Sequence, residues 1–127
     1  MKMEVSTAIE ELKRQFCSSA ITVREDGQGG AYVLMEPVEL CQKFRPTATW
    51  VGFQIPAQYP YADIYPVFIG GNVTRADGVA LQAPVTAGHH FEGRAAIQIS
   101  RRSAAAQSGS QRVTAKILKV LDFLEKM

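Results

Sequence analysis

The chain has 127 residues, 46% of them hydrophobic and 20% charged, with a formal net charge of +2. That length supplies one domain with a single core, and so small a charge gives no general field for gripping nucleic acid or an anionic membrane. No apolar run reaches bilayer-spanning length, and the opening "MKMEVSTAIEELKRQF" carries acids where a signal peptide has an unbroken apolar centre, so a cytoplasmic domain is expected.

In chain order, Thr7 and Glu10 form a T-x-x-E capping box, and Val5, Ala8, Ile9, Leu12 and Phe16 follow at helical spacing, which predicts a first helix ending near Phe16. Cys17 and Cys41 have neither CxxC nor Cys/His metal spacing, so structural thiols are expected rather than a disulfide scaffold or a zinc site. The stretches "SAITVRE", "AYVLMEPVEL", "TWVGFQIP" and "YPVFI" are rich in β-branched and aromatic residues and predict four strands in an antiparallel meander. "DGQGG" between the first two is a hairpin connection; it lacks the helix and lysine of a phosphate cradle.

Between the third and fourth strands, Pro56, Pro60 and Pro66 remove backbone donors and bias their predecessors towards extended geometry, so 56–65 reads as a rigid loop. "GGNVTRADGVALQAPVTAGHH" is glycine-bearing and poorly periodic, the longest irregular stretch and the place where function is expected. "RAAIQIS" predicts a brief extended segment and "RRSAAAQSGS" a polar connector. Ser110 is positioned to cap a last helix, with Val113, Ile117, Val120, Leu121 and Leu124 as its apolar stripe and Arg112, Lys116 and Lys119 towards water. Strands in a run with helices at both ends predict an α+β domain over 1–127, its helices packed on one face or end of an antiparallel sheet.

This order resembles the ubiquitin-conjugating (UBC, E2-like) fold: N-terminal helix, four-stranded antiparallel meander, long active-site flap and C-terminal helix. The family's "YP…P" corner is matched by Tyr59-Pro60 and Pro66. The corner's expected task is to lock the connection between the third and fourth strands and launch the flap after Ile69 in a fixed direction. Within that fold the chain more closely resembles the bacterial E2-like proteins of ubiquitin-like conjugation operons, through "P..YP", a further proline, Gly93-Arg94 and Ser100-Arg101-Arg102. The resemblance covers roughly residues 45–127, and order and spacing carry it rather than any one motif.

The resemblance implies a carrier that takes a ubiquitin-like protein from an E1-like activating enzyme as a cysteine thioester and passes it to an amine. It implies no cofactor, no nucleic acid and no membrane, and points to a JAB-type peptidase encoded alongside. A thiolate suits this chemistry because it is nucleophilic near neutral pH. The family's cysteine lies three residues after a glycine, which in "EGRAAIQIS" is Ala96, with Ala95 the alternative if the register slips by one. Alanine cannot form a thioester. Either it replaces a cysteine in an inactivated enzyme, or the chain is a natural cysteine-less variant that binds without chemistry.

His89 and His90 stand roughly where the family carries the histidine of its H-P-N motif, but neither proline nor asparagine follows, so the oxyanion-stabilising asparagine is not carried over. The histidines are read as catalytic candidates or as loop residues in equal measure. Ser100, Arg101 and Arg102 form either a solvated basic turn or a seat for a ubiquitin-like tail. Lys13 and Arg14, beside Glu10 and Glu11 on the first helix, are where the family's E1 docking face would lie. A third class remains open, an unrelated small α+β scaffold whose proline corner stiffens a loop.

Overall fold

A computed structural model describes residues 1–100 and 112–127. The order is α1 (Met3–Gln15), β1 (Ala20–Glu25), β2 (Ala31–Glu39), β3 (Phe44–Arg45), β4 (Ala48–Ile55), β5 (Val67–Gly70), β6 (Thr74–Arg75), β7 (Val85–Phe91), β8 (Arg94–Ile99) and α2 (Val113–Glu125). Six strands form one sheet in the order β1-β2-β4-β5-β8-β7, and β3 pairs with β6 in a two-stranded ribbon. Every pairing is antiparallel, so the domain is α+β with two helices against a meandering sheet. Among the described residues no helix is long and apolar enough to cross a membrane.

The four meander strands lie within the stretches rich in β-branched and aromatic residues. The sheet then continues, because the stretch expected to be an irregular flap folds into β7 and pairs with β8, which itself docks on β5. β7 escapes recognition by pattern because its register breaks between Thr86 and His89 and only Val85 and Phe91 of its residues are buried.

α1 begins four residues before Thr7, with Lys2 at the N-cap and no side-chain cap, so the expected capping box sits inside the helix. Val5 explains the earlier start: it is fully buried in one stripe with Ala8, Ile9 and Leu12, and packing outweighs the local cap. α2 likewise starts after Arg112 at its N-cap. The expected cap, Ser110, lies outside the described residues, as do Arg101 and Arg102.

The two strand faces have different partners. Ala31, Val33 and Met35 of β2, Val51, Phe53 and Ile55 of β4, Ile69 of β5 and Ile97 and Ile99 of β8 form one core with the stripes of both helices. Tyr32, Leu34, Trp50, Phe68, Phe91 and Ala96 form a second cluster on the other face, built from strand residues alone.

The proline corner at 56–66 is irregular, as expected, and its contacts reach α2. Tyr59 is 9% exposed, and its hydroxyl oxygen accepts the Val113 N–H at 3.4 Å at the start of that helix. Burial raises the Tyr59 phenol pKa above its ordinary value, so the ring carries a neutral hydroxyl at neutral pH. Ile64 is fully buried, while Pro60 and Pro66 are half-buried. Lys116, expected to face water, is 4% exposed, and its ammonium lies 3.1 Å from Asp63 Oδ1 and 3.2 Å from Oδ2. A lysine on the buried side of α2 is explained by this carboxylate from the corner.

Candidate functional site

β7 and β8 are joined by the two-residue turn Glu92-Gly93, closed by the pair Phe91 and Arg94. Both turn residues have positive φ, 49° and 79°, the turn form whose twist matches that of the flanking strands. Glycine accepts this conformation freely, whereas glutamate is strained there. What Glu92 gains is a long-range partner: Arg24 donates to it through Nε at 3.1 Å and Nη2 at 2.9 Å. Arg24 belongs to β1, at the opposite edge of the sheet, so the hairpin tip curls over the face that the helices leave open. A second tie joins Arg94 Nη1 to Glu36 Oε1 of β2 at 3.2 Å.

Beneath the tip, the Phe91 ring centroid lies 5.3 Å from Phe68, 6.0 Å from Trp50 and 6.3 Å from Tyr32. Gly52, paired with Leu34 on one side and Phe68 on the other, provides the notch for it. A Cβ at position 52 would stand 2.5 Å from the Phe91 ring. Gly52→Ala should therefore lift the tip and cost about 1–3 kcal/mol, the usual penalty of overpacking. Urea unfolding measures the loss, and Trp50 fluorescence reports the displaced ring; a variant as stable as the parent, with unaltered emission, would show that the tip yields freely.

The hairpin brings four of the expected site residues together. His89 pairs across the strands with Ala96, and His90 with Ala95. Ala96 is 1% exposed within the aromatic cluster, whereas Ala95 is exposed. His89 is half-buried with Nε2 3.0 Å from Thr86 Oγ1, and His90 is exposed. As neighbours on a strand the two imidazoles project to opposite faces. Among the described residues no group of three His, Cys, Asp or Glu side chains is placed to hold a metal.

The other expected residues lie elsewhere. Lys13 and Arg14 are exposed on α1, across the sheet from Ala96. Lys13 pairs with Glu10 at 3.6 Å, and Glu11 is drawn to Arg112 at 2.9 Å, away from the outer face expected for it. Ser100 ends the β8 side, its hydroxyl accepting Gln98 Nε2 at 2.6 Å. Cys17 is exposed and Cys41 is half-buried against the main core.

Sequence reasoning missed Arg24, Glu36, Gly52 and Glu92, the residues that shape the open face. A signal was available in "AYVLME": apolar residues at successive positions of a strand mean that both of its faces are covered. Between β1, β2 and the hairpin tip runs a cleft of about 250 Å³, lined by Thr22, Arg24, Tyr32, Leu34, Glu92 and Arg94. No known protein family, curated protein or solved structure matches the chain.

Proposed function

We propose that this chain is an E2-like module of the UBC fold that binds an E1-like enzyme and a ubiquitin-like protein without itself carrying a thioester. One observation carries the reading: the position that the resemblance assigns to the nucleophile holds a methyl group, 1% exposed, packed with Trp50 and Phe91. A side chain there has no open approach for an incoming thioester, and alanine has no atom to accept one. What the domain offers instead is surface, namely the exposed residues of α1 on one side and the tethered hairpin on the other.

The carrier reading, with cysteine at this position, is favoured by a different observation. His89 lies directly across from residue 96, where an imidazole would stabilise a thiolate. Ala96→Cys separates the two. Incubated with the E1-like enzyme, ATP and the ubiquitin-like protein, the parent and the variant should both bind non-covalently and neither should form a thiol-sensitive adduct. An adduct on the variant would establish the carrier instead, and absence of any binding by either protein would remove both readings.

A further inference from the structure

The two edges of the main sheet are guarded unequally. β7 is broken by a bulge between Thr86 and His89, carries Gly88 at φ 86° within it and follows Pro84, all devices that discourage another strand from pairing. β1 has none of these. Its six residues run in unbroken register with β2, from Ala20 opposite Glu36 to Glu25 opposite Ala31, and Ile21, Thr22 and Val23 at its centre are β-branched. Among the described residues no strand pairs with its outer side. The guanidinium of Arg24 leans inward, 4.5 Å above the Tyr32 ring and bonded to Glu92.

Beside this edge lies the cleft behind the hairpin tip, with Thr22 as its outer wall and Leu34 as part of its lining. Its charges are paired off, Arg24 with Glu92 and Arg94 with Glu36, so the cleft suits a neutral apolar group. At the other end of β1, Glu25 is 64% exposed and held by the Met1 ammonium at 2.7 Å, an exposed pair that a ligand cation can displace.

We propose that β1 accepts an extended, basic peptide segment as a seventh, antiparallel strand, with a long apolar side chain opposite Thr22 reaching into the cleft and a lysine or arginine opposite Glu25. Main-chain bonds along the edge hold such a ligand and the cleft selects its side chain, the division of labour in strand addition. Antiparallel geometry places the basic residue three positions before the apolar one, on the helix side of the sheet with Glu25. A second copy of this chain is a poorer occupant. The β1 residues on the open face are Ala20, Thr22 and Arg24, none of which would fill the cleft. The site stands apart from the partners proposed above.

The probe is the blocked peptide acetyl-Thr-Lys-Thr-Thr-Phe-Thr-Thr-amide, titrated into isotope-labelled protein and followed by amide shifts. Shifts are expected along residues 20–25 and at Tyr32 and Leu34. Alanine for the phenylalanine should weaken binding at least tenfold, and glutamate for the lysine several-fold. N-methylation at alternate amides should abolish it, and Thr22→Phe, which fills the cleft from the protein side, should weaken it as the alanine peptide does. Equal binding of the N-methylated or the alanine peptide, shifts confined to α1 or to the hairpin tip, or no shifts at millimolar peptide would each overturn the proposal. Concentration-dependent dimerisation abolished by Val23→Pro would overturn it in favour of a second copy.

Discussion

Lys116→Ala is expected to destabilise the domain by about 3–5 kcal/mol, because it removes one partner of a buried ion pair and leaves the other charge in place. Lys116 is 4% exposed and Asp63 9% by side chain, so water does little to compensate either. The loss comes from leaving a buried carboxylate without the Lys116 ammonium rather than from the pair's own worth. Replacing both partners together, Lys116→Met with Asp63→Leu, should therefore recover most of it, and such exchanges are often neutral or stabilising by about 1–4 kcal/mol. Urea denaturation of the single and double variants makes the comparison. A single variant within experimental error of the parent would mean that the carboxylate reaches water once the lysine is gone.

Tyr59→Ala is the second large effect, expected at about 3–5 kcal/mol by analogy with other buried aromatic truncations. The ring belongs to the main core, and its hydroxyl meets the first backbone N–H of α2. Tyr59→Phe separates those contributions. Keeping the ring and losing the acceptor should cost only about 1 kcal/mol, the net value of an ordinary hydrogen bond, and less if water replaces it at the helix end. Paired chemical denaturation decides the matter: if Tyr59→Phe falls as far as Tyr59→Ala, the hydroxyl rather than the ring holds the helix.

These two residues also show how far the sequence could be read. Tyr59 and its prolines announce themselves as a stiff corner, since proline chemistry is local. The destination of the corner, the first turns of α2, is invisible, because Asp63 and Lys116 stand 53 positions apart and a lysine on an amphipathic helix ordinarily marks the wet side. The stripes of α1 and α2 and the meander strands were legible for the opposite reason, since helical periodicity and runs of β-branched and aromatic residues are both written within a few residues. At the candidate site the resemblance assigned the nucleophile position to Ala96, and the hairpin pairs that residue with His89. The curl of the tip was not legible, because it depends on Arg24 and Glu92 at a separation of 68 and on a notch made by a missing side chain.

The seat of α2 has a consequence for the order in which the domain is assembled. Every strand of the main sheet precedes α2 in the chain, yet Val113, Ile117, Val120 and Leu124 complete the core against those strands. A growing polypeptide can thus pair its meander through local contacts while the apolar face of the sheet has α1 alone against it. During that interval Asp63 lacks the Lys116 ammonium and Tyr59 has no helix to meet, so the corner is more hydrated and the half-finished sheet is at its stickiest. Docking of α2 removes both conditions at one stroke. The vulnerable interval in this protein's assembly is therefore the one between pairing of the strands and docking of α2, when a holdase that covers apolar strands would have most to protect.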